Sequence, residues 1–211
     1  MERTPLLVAA AKNLRRKRLP RGQTLLYQND LMSNIFILTK GVIKIYDIDD
    51  DGNEKILHLL SAYGVLPFAF FSGKQQRIRW FYATLTDCEV CVVSQASLLE
   101  LIQVNPALNI ELMNWFSLEV HELLVRLSSL GKTNAQDKVM AALRYLAVCH
   151  VNPVRGDWLR VNFPVNHQLL ADMTGLTRES TALIMSKLQK QGKVRSPRQL
   201  TLELSPRILP V

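Results

Sequence analysis

The sequence predicts an α+β protein with an N-terminal β jelly roll, one long helix and a C-terminal winged helix-turn-helix. Three observations carry that prediction. Short strand-length segments separated by turn signals fill residues 22–93. Apolar residues recur at seven-residue spacing through 106–130. Two short amphipathic segments around a tight turn, followed by a basic hairpin, occupy 163–204. The expected divisions are 1–104 for the barrel, 105–131 for the long helix and 132–211 for the C-terminal domain.

Residues 1–21 hold a short helix and the basic run Arg15, Arg16, Lys17, Arg18, read as a solvated edge. The strand segments are Thr24–Gln28, Ile35–Thr39, Val42–Ile48, Lys55–Leu60, Arg79–Leu85 and Glu89–Val93. Asp49-Asp50-Asp51-Gly52-Asn53 lies between two of them and reads as a hairpin loop. Its three aspartates lack the terminal Glu of an EF-hand, so a turn is expected rather than a calcium loop. Cys88 and Cys91 have CxxC spacing, but positions three apart on a strand face opposite sides. They are expected as core or half-buried residues, with redox sensing as the alternative.

A short helix over 97–103 ends before Asn105-Pro106, and proline is well placed to open the next helix. That helix runs to Ser129 or Leu130. Met113, Val120 and Leu127 form one series of sevens, and Phe116, Leu123 and Leu130 a second, offset by three. This is an a/d seam, which Glu111, Glu119, Glu122 and Arg126 avoid. A helix cannot bury a seam against itself, so a parallel homodimer is expected. The alternative is packing on the chain's own barrel, where Leu108, Leu112, Leu118 and Leu124 would serve. After a hinge over 131–134, a further amphipathic helix covers 136–149, and 158–163 reads as a strand.

In the helix pair, Asn166 and Thr177 are placed to cap the two N-termini, and Gly175 to reverse the chain. Thr181, Ile184, Met185 and Leu188 form the inner stripe of the second helix; Arg178, Glu179, Ala182, Leu183, Ser186 and Lys187 lie outside. Small Ala171 suits a close helix crossing. The second helix of such a pair enters a DNA major groove. A hairpin over 194–204 follows as a wing, bringing Lys193, Arg195 and Arg198 to phosphates.

Charge points the same way. The chain carries 26 Lys and Arg against 18 Asp and Glu. Residues 132–211 hold 12 against 5, and residues 1–131 hold 14 against 13. The excess thus sits where the helix pair is, and such an excess binds phosphate backbones by releasing counterions. No metal-ligand cluster, nucleophile elbow or phosphate loop appears, which argues against an enzyme. A scaffold protein that reuses the barrel without binding DNA would not need the basic helix pair and wing. No membrane span or secretory signal is read, and three cysteines are too few for a disulfide framework, so the expected location is cytoplasmic.

Almost end to end, the chain resembles the Crp/Fnr family of transcription regulators. Gly22-x-x-Leu25 with Asp30, the run Ile35 to Tyr46 with Gly41, then Asp51-Gly52 and Gly64, is similar to that family's cyclic-nucleotide-binding jelly roll. Leu170 to Ser180 is similar to its helix-turn-helix signature. The resemblance implies a homodimer on a pseudo-palindromic operator in double-stranded DNA, with an effector in the barrel and RNA polymerase as a further partner. It places Arg178 and Glu179 on base edges, with Arg bidentate to guanine and Glu accepting from cytosine. Thr177 opens that helix. Ser180 and Lys187 suit phosphate, as do His167 and Gln168 at the start of the first helix. Leu183 stands where many members have a second arginine, so a thymine methyl is the expected contact and a different operator follows.

The effector site departs from the family pattern. Gly64 to Phe71 lacks the carboxylate that accepts from the ribose, and Arg77 and Arg79 are not followed by Ser-Ala. Leu123 and Leu124 stand about where the cyclic-AMP receptor has polar residues. Ribose hydroxyls buried without partners cost about 1–3 kcal/mol each, so cyclic AMP is not the expected effector. The aromatic run Phe68, Phe70, Phe71, Trp80, Phe81, Tyr82 leaves two readings open. One is a pocket for a hydrophobic or aromatic effector, lined by Phe68, Phe70, Arg77, Arg79, Trp80, Tyr82, Leu123 and Leu124. The other is a filled cavity and an effector-independent regulator. The N-terminus lacks the cysteine cluster of the family's iron–sulfur sensors, and His58 stands alone as a core or surface histidine, so no cofactor or metal is expected.

Overall fold

A computed structural model describes residues 5–10, 14–72, 77–154 and 157–209. The chain forms two compact bodies: Met1–Asp47 with His58–Val120, and Ile48–Leu57 with His121–Val211. The tip of the acidic hairpin therefore belongs to the body that holds the C-terminal domain.

The first body is built on strands β1 (Arg15–Leu19), β2 (Thr24–Leu26), β3 (Ile35–Lys40), β4 (Val42–Ile48), β5 (Glu54–Ser61), β6 (Val65–Leu66), β7 (Phe81–Thr84) and β8 (Cys88–Val93). They form two four-stranded sheets, ordered β1-β8-β3-β6 and β2-β7-β4-β5. β8 pairs antiparallel with both β1 and β3 and buries Cys88, Val90, Cys91 and Val93. Both cysteines are buried core residues with free thiols. β1 is an edge strand, and Arg15 to Arg18 are all exposed on it, a charged edge that discourages further strand pairing. Gly41 turns the chain between β3 and β4 at φ +97°; a Cβ there would sit 2.6 Å from the Asp87 carbonyl and from Cys88 Sγ, so only glycine fits. The Asp49–Asn53 turn is closed by the Asp49 carboxylate, which accepts from the Asp51 and Asn53 amides at 3.1 and 2.8 Å.

Helices α1 (Pro5–Ala10), α2 (Gln95–Val104) and α3 (Ala107–Leu130) complete the all-apolar core around Ile37, Leu38, Ile43, Leu60 and Val90. Leu108, Leu112 and Trp115 of α3 enter it. Glu111, on the same helix, accepts from the Leu6 and Leu7 amides at 3.0 Å and so caps the first turn of α1.

The second body contains α4 (Ala135–Cys149), β9 (Val151–Pro153), β10 (Leu159–Val161), α5 (His167–Thr174), α6 (Arg178–Lys190), β11 (Val194–Arg195) and β12 (Glu203–Leu204). Its sheet is ordered β11-β12-β10-β9. Asn134 caps α4, accepting from Gln136 at 2.8 Å. One face of α4, including Val139, Leu143 and Leu146, is fully buried. The wing is shorter than the sequence suggests: β11 and β12 share only two rungs, Val194 with Leu204 and Arg195 with Glu203. Among the described residues, no helix is long and apolar enough to cross a membrane.

Candidate nucleic-acid interface

Local chemistry sets the helix pair. Asn166 Oδ1 accepts from the Leu169 amide at 2.7 Å and satisfies a first-turn donor of α5. Gly175 ends α5 in the left-handed region at φ +66°, with its N–H on the Ala171 carbonyl at 2.8 Å. Two residues later Thr177 Oγ1 accepts from the Ser180 amide at 3.1 Å and opens α6. Thr181, Met185 and Leu188 are buried on the inner stripe, with Ile184 half-buried beside them, and Ala171 is buried opposite. The outward stripe of α6 stays in solvent. Thr177, Arg178, Glu179, Ser180 and Lys187 are exposed, and Leu183 is 75% exposed, a high value for leucine on a packed domain. Ala182 is half-buried and sits at the boundary. At the start of α5, His167 and Gln168 are exposed, and the Gln168 amide donates to Asp172 Oδ1 at 2.7 Å.

Arg195 of the wing is less free than the sequence implies. Arg195 Nε donates to Glu203 Oε2 at 2.6 Å, and its guanidinium lies 4.1 Å from the Trp158 ring centroid. Arg160 donates to Glu203 Oε1 through Nε and Nη2 at 2.9 and 2.7 Å. Register explains the row: Glu203 is the cross-strand partner of both Arg195 and Arg160. Glu203 is 1% exposed. Burial alone would raise its carboxyl pKa, but the guanidiniums of Arg160 and Arg195 more than offset that and hold it below the ordinary range. Lys193 is half-buried and Arg198 exposed at the turn. Sequence reading missed Glu203, Arg160 and Trp158. The signal that could have found them is a lone acid between two leucines on a strand, opposite a basic position on each neighbour.

The comparisons with known proteins agree with this geometry. Residues 16–105 match the model of the cyclic nucleotide-binding domain, and residues 137–205 that of the Crp-like helix-turn-helix domain. The cAMP-activated global transcriptional regulator CRP of Salmonella typhimurium is 23% identical over 83% of this chain and 82% of its own. A cyclic nucleotide-binding domain containing protein from Listeria monocytogenes superposes with a TM-score of 0.82 at 15% identity, covering 99% of this chain and 100% of its own. FixK2 from Bradyrhizobium japonicum does so at 0.72 and 17% identity, over 92% and 93%. The chain belongs to the Crp/Fnr family of transcription regulators.

Against that family background, the barrel residues separate into two groups. Phe70 and Tyr82 are buried, Phe68 and Trp80 half-buried, and Phe68 lies 6.0 Å from the Trp115 ring and 6.1 Å from that of His58. The side chain of Phe71 lies outside the described residues. Burial pushes the Tyr82 hydroxyl pKa up to about 12, offset in part by a hydrogen bond with the Phe68 backbone. Arg77 and Arg79, in contrast, are exposed. They line an outer cleft of about 440 Å³ with Gln28, Asn29 and Asp47, and Arg77 donates to the Asn29 carbonyl at 2.8 Å. They do not join the buried aromatics. Leu123 and Leu124 are likewise exposed.

On the long helix of this Crp/Fnr chain, three of the charges that avoid the seam are buried: Glu119, Glu122 and Arg126. His58 does not stand alone, since its Nε2 lies 2.8 Å from Glu119 Oε2. A charged residue at helical spacing looks like solvent-facing charge until its partner on another element is known. Of the four leucines offered for barrel packing, Leu108 and Leu112 enter the core together with Trp115, whereas Leu118 and Leu124 are exposed. The seam residues Met113, Phe116, Val120, Leu123, Leu127 and Leu130 are all exposed in the single chain.

Proposed function

We propose that this Crp/Fnr regulator acts as a homodimer, joined along Met113, Phe116, Val120, Leu123, Leu127 and Leu130, on a pseudo-palindromic duplex site. Arg178 and Glu179 read base edges, Leu183 touches a thymine methyl, and His167, Gln168, Ser180, Lys187, Lys193 and Arg198 lie along phosphates. Thr177 fixes the start of the reading helix, and Arg195 offers phosphate the part of its guanidinium not engaged by Glu203. Residues 1–104 act as the sensing domain, 105–131 as the joining helix and 132–211 as the DNA-binding domain. The observation that carries the reading is the outward stripe of α6, polar at its N-terminus and exposed, on a helix whose other stripe is buried. Selection from random genomic fragments, followed by sequencing of what is retained, tests it. Enrichment of one symmetric motif supports the reading, and retention without any motif refutes it.

The effector is proposed not to be cyclic AMP, because Gly64 to Phe71 offers a ribose no carboxylate. Titration calorimetry on the pure protein should give no stoichiometric heat with cyclic AMP; micromolar binding would reject this part. Two readings of the barrel remain in competition. A hydrophobic or aromatic ligand would use the pocket chemistry of Phe68, Phe70, Trp80 and Tyr82. The packing of Phe68 on Trp115 supports the second, a filled barrel that needs no effector. Small aromatic acids that quench tryptophan fluorescence saturably would decide for the first.

A further inference from the structure

Three buried side chains bring metal-ligating atoms together. His58 of β5 and Glu119 and Glu122 of α3 are 1%, 2% and 4% exposed. One ligand atom from each, an imidazole nitrogen and two carboxylate oxygens, lies within 4.8 Å of the other two. His58 Nε2 and Glu119 Oε2 are 2.8 Å apart, a hydrogen bond that holds a proton between them. Glu119 and Glu122 stand three apart on one helix, the spacing that sets two side chains on the same face. The sequence did not suggest an ion here, because His58 and Glu119 are 61 residues apart. Recognition of DNA as proposed above uses none of the three.

Two carboxylates this close and removed from water repel when both are ionised. An imidazolium offsets one of the negative charges. A dication offsets both and leaves the imidazole neutral, the form that ligates. The distances are within reach of a single ion. Ligand atoms on one tetrahedral ion stand about 3.4 Å apart, so the 2.8 Å contact opens by about 0.6 Å as its proton leaves. One nitrogen and two oxygens suit a borderline divalent ion such as Zn²⁺, Co²⁺, Mn²⁺ or Fe²⁺, whereas Mg²⁺ and Ca²⁺ prefer oxygen alone. Phe68, whose ring centroid lies 6.1 Å from that of His58, adds apolar surface beside the imidazole and limits competing water.

We propose that His58, Glu119 and Glu122 form a binding site for one divalent transition-metal ion per chain. His58 ligates through Nε2 and each glutamate through a carboxylate oxygen. On binding, the hydrogen bond between Nε2 and Oε2 is replaced by one bond from each atom to the ion, and its proton goes to solvent. With three protein ligands, a coordination position stays open to a water or an anionic group.

The test uses the untagged full chain, cleared of ions by a chelator and dialysis, with Zn²⁺ and Co²⁺ as probes and no DNA present. Calorimetry should give one equivalent of either ion per chain, with proton release, and Zn²⁺ should raise the melting temperature of wild type in step with its concentration. Co²⁺ absorption should show nitrogen and oxygen ligands without sulfur. Glu119→Gln and Glu122→Gln should each weaken binding more than about 100-fold, beyond the range for a group that only supports a ligand. His121→Gln removes an exposed imidazole next to Glu122 in the chain and should leave binding unchanged. Circular dichroism establishes that each variant is folded; where a glutamine variant of Glu119 or Glu122 is not, the wild-type spectrum and the His121→Gln titration decide. Absence of one-equivalent binding, thiolate absorption with Co²⁺, full binding by a folded Glu119→Gln or Glu122→Gln chain, or loss of binding in His121→Gln would overturn the site.

Discussion

In the proposed function Arg178 reads bases and Lys187 holds phosphate, so their removal should differ in kind. Arg178→Ala should cost about 1–3 kcal/mol on the selected site and flatten the preference among sequences. Lys187→Ala should weaken specific and random duplexes alike and reduce the salt slope by about one. Binding isotherms on both duplexes at several salt concentrations check this, and equal loss on both for Arg178→Ala would remove its assigned role. Glu203 gives a prediction about pH. Its carboxyl is held below the ordinary value of 4.5 in the folded chain. A depressed folded pKa adds stability that is present above the unfolded value and is lost as pH falls through the folded one. The melting-temperature gap between wild type and Glu203→Gln should be constant from pH 7 to about 5 and close below that. A gap that widens in acid would contradict the Arg160–Glu203–Arg195 arrangement as its source.

At the scale of elements, α3 carries two opposed demands. One face buries Leu108, Leu112 and Trp115, then Glu119, Glu122 and Arg126; another leaves a row of large apolar residues in solvent. An exposed apolar stripe of that length is an interaction surface by ordinary standards. Leu127→Glu would set two like charges across the seam and should cost about 2–4 kcal/mol of association. Sedimentation velocity should then show a monomer at concentrations where wild type is dimeric; an unchanged dimer would place the interface elsewhere. The helix pair and its caps were legible in the sequence because Asn166, Gly175 and Thr177 act on backbone groups within four residues. The seam was legible for a related reason, since its period is a property of one helix. What the sequence hid were interactions set by long-range pairing. Glu119 meets His58 sixty-one residues away, and Glu203 meets Arg160 across a strand register that no local pattern states. Arg77 and Arg79 failed for the same reason: proximity to the aromatics in sequence did not decide which side of the barrel wall they occupy.

For the whole molecule, stability and recognition depend on different residues. Glu119 belongs to the first. Glu119→Ala removes the buried His58–Glu119 hydrogen bond and should cost about 3–5 kcal/mol in denaturant unfolding, whereas Glu119→Gln, which keeps a hydrogen-bonding group in place, should cost less. Equal losses would show that the pair contributes no more than its packing. On the proposed reading, recognition instead depends on two copies of α6 acting together, with half-site centres about 34–36 Å apart, one helical turn of duplex. The most direct test measures stoichiometry and affinity together on the selected duplex, intact and with one half scrambled. Two chains per intact duplex, with affinity collapsing when either half is scrambled, is the predicted result; one chain bound at full affinity to a single half would contradict the account.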